Sequence, residues 1–371
     1  GAPGPEQEET VNKKTQSPAL LNSKRKRRCR HAHSQHRTLV KKQKKERNKH
    51  MKKTVRNLLI LALALAMVLS LAACGQKEAP AEEKAPAEDG TLKIGVTLMN
   101  FSTEFSIGLK DYMTAKAEEI GGVELLILDA GGDAAKQVEQ IDSFIAQGVD
   151  AIIMQPQEQE ACSPAVDKAR EAGIPIVNCN SHTTSAPDAY VGSNDAESAQ
   201  IALGYIVERL GGKGNVAMMH GHPGQTAEVM RTQGAIEVIE QNPEMTLIAE
   251  QTANWDRAEA MDLMQNWLQA YGDDIDAVFC QNDEMALGAL NALVQANKKD
   301  DVIVVGVDAI DDAKQSVKAG ELDATVFQDC KGQAEGSLEA AIKLARGEAV
   351  EAEILIPFIL VTAENVDEYL K

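Results

Sequence analysis

From Thr91 onward, short apolar runs alternate with helix-like stretches, and after Gly192 the same alternation begins again. The first runs are Lys93–Leu98, Glu124–Leu128, Ala151–Met154 and Pro175–Asn178, with helical segments near 104–120, 133–147 and 162–172 between them. Gly121, Gly148 and Gly173 follow these helices, where glycine supplies the left-handed residue that ends a helix. The second set has strands at Asn215–Met219, Thr246–Glu250, Ala277–Cys280, Val302–Val307 and 323–328. Its helices fall near 195–210, 226–241, 255–270, 283–296, 310–319 and 332–345, and an extended segment at 354–360 ends the pattern. Continuous apolar strands alternating with helices make a parallel sheet covered on both faces. The expected fold class is therefore α/β, as two similar lobes rather than one long sheet. In open parallel sheets, ligands sit at the carboxyl ends of the strands, so two such lobes facing each other make a cleft.

The residues at those strand ends are polar. Gln155 and Asn180 follow first-lobe strands, and Trp255, Asn282, Asp308 and Gln328 follow second-lobe strands. Arg231 lies in the first turns of a helix facing the same end. Carboxylates, amides and a guanidinium can bind vicinal hydroxyls in pairs, because each hydroxyl both donates and accepts. The apolar faces of a sugar ring pack on aromatic planes, here Phe105 and Trp255. Only 4% of the chain is aromatic, so two aromatic residues at one cleft carry weight. The expected ligand is a monosaccharide or a related polyol.

Ahead of the lobes the sequence changes character. Residues 1–50 hold 15 Lys and Arg against 4 Asp and Glu. This basic leader is expected not to be native, being an over-extended reading frame or an artefact with the natural start at Met51. Residues 51–73 combine Lys52, Lys53 and Arg56 with an uncharged apolar stretch of 16 residues, Leu58–Ala73. That is the layout of a secretory signal, and it falls short of the ~20 residues a spanning helix needs. It ends Leu71-Ala72-Ala73-Cys74, which resembles the bacterial lipobox, so Cys74 is the expected lipidation site and membrane anchor. Two or more acyl chains hold a protein stably at a membrane. Residues 74–90, rich in Ala, Pro and Glu, form an expected disordered tether. The predicted location is extracytoplasmic, on the cell membrane or in the periplasm.

Residues 74–371 carry 20 basic and 52 acidic side chains. An acidic body of that size argues against nucleic acid as a partner. Cys162, Cys179, Cys280 and Cys330 form no CxxC pair and no zinc spacing, so they read as small buried hydrophobes, and no metal or cofactor is expected. Dinucleotide, phosphate-loop and nucleophile-elbow motifs do not occur. His182, His220 and His222 remain as residues lining or flanking the cleft, and the chain is expected not to be an enzyme.

Gln281-Asn-Asp-Glu-Met-Ala-Leu-Gly-Ala-Leu290 is similar to the ribose-binding stretch of the bacterial periplasmic sugar-binding family. Val305-Gly-Val-Asp-Ala309, Asn254-Trp-Asp-Arg257 and Ile94-Gly-Val-Thr97 followed by Phe105 resemble the galactose/glucose-binding members. The likeness covers about residues 92–371. It implies a type I periplasmic binding protein fold of two Rossmann-like lobes joined by a three-segment hinge. The N-terminal lobe would comprise 91–193 plus 329–352, and the C-terminal lobe 194–328 plus 353–371, with crossings near 193–194, 328–329 and 351–353. By position, Phe105 and Trp255 would sandwich the ring. Arg231, Asn282, Asp308 and Gln328 would bond it from the second lobe, and Thr103, Gln155 and Asn180 from the first. The partners implied are an ABC transporter permease and the small-molecule ligand, with the protein a monomer. Alternative readings of the same core are a LacI-type transcriptional regulator and a sugar-sensing chemoreceptor or two-component input protein.

The chain also departs from those relatives. Gln225 and Ala227 stand where galactose-binding proteins have His and Asp, and Thr103 stands where they have Asp. Asn180-Ser181 replaces an Asp-Arg pair, Ser106 replaces an aromatic, and Leu210-Gly-Gly-Lys-Gly-Asn215 replaces a calcium loop. The second lobe resembles ribose-binding proteins and the first lobe resembles neither, so ligand choice is expected to rest on the first lobe.

Overall fold

The computed structural model describes residues 90–370; the basic leader, the signal segment, Cys74 and nearly all of the tether lie outside it. The first lobe is built from β1 (Leu92–Leu98), α1 (Glu104–Ile120), β2 (Val123–Asp129), α2 (Ala134–Gln147), β3 (Ala151–Met154), α3 (Ser163–Glu171), β4 (Ile176–Cys179) and β5 (Ala189–Gly192). The chain then crosses into α4 (Asp195–Leu210), β6 (Lys213–His220), α5 (Thr226–Gln241), β7 (Glu244–Thr252), α6 (Arg257–Tyr271), β8 (Ala277–Cys280), α7 (Asp283–Gln295), β9 (Ile303–Asp308), α8 (Asp311–Ala319) and β10 (Ala324–Phe327). It returns to the first lobe with α9 (Cys330–Ala345) and β11 (Glu353–Leu355), and ends on the second with β12 (Ile359–Thr362).

The two sheets have the same strand order, β11-β5-β4-β3-β1-β2 and β12-β10-β9-β8-β6-β7. All pairings are parallel except that of β10 with β12. Each sheet is doubly wound, because neighbouring strands send alternate residues to opposite faces and both faces are covered. Ile153 packs with Leu109 and Met113 of α1 and Leu338 of α9, while its neighbour Ile152 packs with Ile141, Phe144 and Val166 on the other side. The second sheet is sandwiched likewise, with Val278 among the residues of α6 and α7, and Phe279 among those of α4.

Three expectations need correction. β5 is a strand that the apolar-run pattern did not flag, since Ala-Tyr-Val-Gly holds only one aliphatic β-branched residue and ends on glycine. The extended segment 354–360 is two strands in two different sheets, split by Ile356-Pro357-Phe358, where the proline lacks the N–H a ladder needs. The third crossing therefore falls after Leu355 rather than at 351–353: Glu353–Leu355 pairs with Tyr190–Gly192 of the first sheet.

Candidate functional site

The carboxyl ends of both sheets converge on one cavity. It is lined from the first lobe by Met99, Thr103, Phe105, Ser106, Asn180 and Ser181, and from the second by Gln225, Ala227, Arg231, Trp255, Asn282, Glu284, Asp308, Ile310 and Gln328. Eight of the nine expected ligand residues are in this set. The space between these walls, with the open mouth included, is about 490 Å³.

Arg231 organises the second-lobe wall. It reaches in from the second turn of α5 and is 3% exposed. Its Nε and Nη2 donate to Asp195 Oδ1 at 3.1 and 2.9 Å, Nη2 also donates to Gln328 Oε1 at 3.0 Å, and Nη1 donates to the Gln281 carbonyl. Asp308 Oδ1 lies 3.9 Å from Nη1. Burial raises the Asp195 carboxyl, with the Arg231 charge opposing the rise. Burial likewise pushes the Asp308 carboxyl up to about 7, again against Arg231. Asp283, fully buried behind Asp308, is raised by burial and then by the Asp308 charge. The guanidinium is thus already compensated within the protein, and the wall carries no surplus positive charge.

Helix caps fix several of the polar groups. Asn282 caps α7, its Oδ1 accepting from Met285 N at 3.0 Å, which leaves the amide nitrogen as the end that can face the cavity. Thr103 caps α1 by accepting from Ser106 N. Trp255 Nε1 donates to Gln225 Oε1 at 2.6 Å, which orients the indole. A Cβ at Gly221 would sit 1.8 Å from the indole ring, so only glycine lets the ring lie there.

Backbone strain gathers at the same place. Among the described residues, non-glycine residues with positive φ include Asn180 (66°), Asn254 (53°), Trp255 (63°), Asp308 (120°) and Ala309 (55°), all at strand ends on the cleft side. Such conformations persist only where the surroundings over-determine them. Asp283 accepts from Ile310 N at 3.0 Å and from Thr325 Oγ1 at 2.7 Å, and Thr325 Oγ1 accepts from Ala309 N at 3.2 Å, so the 308–310 bend is clamped.

The first-lobe wall differs from expectation in one respect. Gln155 does not reach the cavity. It is fully buried, its Nε2 donating to Asn180 Oδ1 at 3.2 Å and its carbonyl accepting from Gln137 Nε2 at 2.7 Å. Asn180 Nδ2 in turn donates to Gln333 Oε1 at 3.1 Å, and Gln333 Nε2 donates to Ser193 Oγ at 3.0 Å. Gln155 therefore supports Asn180 from behind, its side-chain amide being taken up by Asn180 Oδ1 and by Met99 N, which donates to Gln155 Oε1 at 3.4 Å. The side chains that this lobe leaves facing the cavity are chiefly hydroxyls and Phe105. Met99, Glu284 and Ile310 line the cavity without having been singled out. Met99 directly follows β1, and the other two lie two residues beyond Asn282 and Asp308, so position after a strand end was the available signal.

His220 stays outside, held by Thr232 Oγ1 at 2.9 Å and by Glu228 and Glu250, each at 3.3 Å. Cys162, Cys179 and Cys280 are buried as expected, while Cys330 is half-buried at the start of α9. Cys74 lies outside the described residues.

The lobes also touch each other around the cavity. Thr226 Oγ1, at the start of α5, accepts from Gln159 Nε2 at 3.0 Å and from His182 N at 2.8 Å, both in the first lobe. Gln159 N donates to Gly224 O at 3.1 Å. On the other side of the mouth, Glu104 Oε1 accepts from Asp311 N at 2.9 Å, so a first-lobe carboxylate caps the second-lobe helix α8.

Two doubly wound lobes with a polar cavity between their strand ends define the type I class of two-lobed binding proteins. The chain belongs to the periplasmic binding protein domain family, whose model matches residues 94–349. A protein of Rhizobium meliloti named as rhizopine-binding is 43% identical over 284 residues, 74% of this chain and 92% of that one. The ribose import binding protein of Bacillus subtilis is 33% identical over 316 residues, 84% of this chain and 99% of that one. A solved ABC transporter solute binding protein from Bacillus halodurans C-125, with bound myo-inositol, is 40% identical, with a TM-score of 0.73 over 76% of this chain and 97% of that one.

Proposed function

We propose that this protein captures a small uncharged cyclic polyol of the inositol type between its lobes and hands it to a membrane ABC permease. The observation that carries the reading is the second-lobe wall. Arg231 is neutralised by Asp195, while Asp308 and the amides of Asn282 and Gln328 face a cavity flanked by Phe105 and Trp255. A sugar phosphate or sugar acid would find no unpaired cation there and would meet Asp308 and Glu284. A ring of hydroxyls finds donors and acceptors on one side and aromatic faces to pack against. The similarity to the protein with bound myo-inositol favours a cyclitol over an open-chain polyol. On this reading the protein is a carrier and returns its ligand chemically unchanged. Lipid on Cys74 keeps it at the outer face of the cell membrane, and Cys74→Ala releases it to the soluble fraction.

The test is a thermal-shift screen of the purified protein with myo-inositol, D-ribose, D-allose, xylitol and myo-inositol monophosphate. A ligand present at about 100 times its dissociation constant adds about 2.7 kcal/mol. Stabilisation by myo-inositol with none by the phosphate supports the reading. A shift only with the phosphate, or with no polyol at all, sinks it.

A further inference from the structure

We propose that Ser106 is a specificity-determining residue whose hydroxyl bonds one ring hydroxyl of the ligand, so that the protein rejects analogues deoxygenated at that carbon. The inference rests on the polyol reading above and deepens it.

Ser106 lies in the first turn of α1, directly after Phe105, and is fully buried. Its backbone N–H is used by the Thr103 cap at 3.3 Å, but its Oγ has no hydrogen-bond partner in the protein. Serine and threonine on a helix can return their proton to a carbonyl one turn back. Thr114, on the same helix, does so to the Lys110 carbonyl at 2.7 Å. Ser106, the third residue of α1, has no helical carbonyl four residues behind it, and its side chain lines the cavity. A buried polar group left unpartnered is costly, and each such group in a folded protein calls for a reason.

A second unpartnered group faces the same space from the other lobe. Gln328 Oε1 is committed to Arg231, which fixes the orientation of its amide, and Gln328 Nε2 is buried with no partner. Among the cavity's side chains, the buried groups left without a protein partner are thus a donor from the second lobe and a hydroxyl, able to donate or accept, from the first. A polyhydroxylated ring completes both. An analogue with a methylene facing α1 leaves the Ser106 hydroxyl buried and unsatisfied. A site built around a ligand hydroxyl discriminates strongly against the analogue that lacks it. The first lobe is also the one expected from sequence to resemble neither the ribose- nor the galactose-binding proteins, and Ser106 is one of its departures.

The experiment is calorimetric titration of wild type, Ser106→Ala and Ser316→Ala with myo-inositol and its mono-deoxy analogues, with folding checked by circular dichroism. Ser316 has the same kind of buried, unpartnered hydroxyl but sits on α8 away from the cavity. Alanine suits a helix, so Ser106→Ala should fold. In wild type, removing the hydroxyl at one particular carbon should weaken binding about 10-fold or more. In Ser106→Ala that ratio should collapse toward one, while the ratios at the other carbons and all ratios in Ser316→Ala stay as in wild type. If wild type prefers D-ribose or D-allose, the deoxy series of that sugar replaces the inositol series. Ratios unchanged at every carbon in Ser106→Ala overturn the role of Ser106 while leaving the polyol reading standing. Failure of wild type to bind any polyol overturns both.

Discussion

Thr226→Ala should weaken polyol binding without touching the ligand. Thr226 does not line the cavity; its hydroxyl accepts two hydrogen bonds from the opposite lobe, from Gln159 Nε2 and His182 N, beside a long donor contact to the His182 carbonyl at 3.4 Å. In an open form, all three groups would be hydrated instead. The two bonds therefore favour the closed arrangement alone, at about 1 kcal/mol net for each. Losing both makes closure less favourable by about 2 kcal/mol. A ligand held only between closed lobes pays that difference in full, so its dissociation constant should rise about 30-fold. Thr226→Ser keeps the hydroxyl and should stay within a few-fold of wild type. The assay is calorimetric titration with myo-inositol, paired with small-angle scattering of the ligand-saturated protein. An unchanged affinity in Thr226→Ala, with the saturated protein equally compact, would refute the idea that these bonds hold the lobes together.

Other outcomes follow from the same wall. Arg231→Met should lower stability by about 3–5 kcal/mol in urea titration, because Asp195 is left as an uncompensated buried charge. Gly221→Ala should displace the Trp255 ring, changing tryptophan fluorescence and abolishing polyol binding while the fold persists. The Asp308 carboxyl, held at about 7 against an ordinary value of 3.8, keeps its proton in the folded protein at pH values where the unfolded chain has lost it. Its contribution to the stability of the ligand-free protein should therefore fall as pH rises from about 4 to about 7 and level off above, and Asp308→Asn should flatten that slope in urea midpoints.

The second lobe was largely legible from sequence because most of its expected site residues follow a recognisable apolar run. Trp255, Asn282, Asp308 and Gln328 all project from the carboxyl ends of strands that the pattern located, and all line the cavity. The first lobe was legible in outline only. Gln155 sits after a strand as clearly as Asn282 does, yet Gln137 and Asn180 take up its polar groups. Residue type and position cannot show whether an amide faces a ligand or another amide; that depends on long-range neighbours such as Gln333, more than 150 residues away from Asn180. The same limit applies to β5, three of whose residues pair with β11 from the far end of the chain. Pro357 did mark the break between β11 and β12, a local signal in the sequence itself.

The two walls also differ in how firmly they are set before any ligand arrives. On the second lobe, Arg231 is pinned by Asp195, Gln328 and the Gln281 carbonyl, and the strained 308–310 bend is clamped by Asp283 and Thr325. None of these bonds depends on the first lobe, so the wall keeps its shape when the lobes part. The first-lobe groups at the cavity, Thr103 and Ser106, are hydroxyls on the opening turn of α1, and that helix meets the second lobe through Glu104 and Asp311 N. A ligand can therefore be positioned by the second lobe while the cleft is open and inspected by the first only on closing. Binding to the open form then depends on the second-lobe wall. Selection among related ligands then falls to the closing step, and hence to the first-lobe side chains at the cavity.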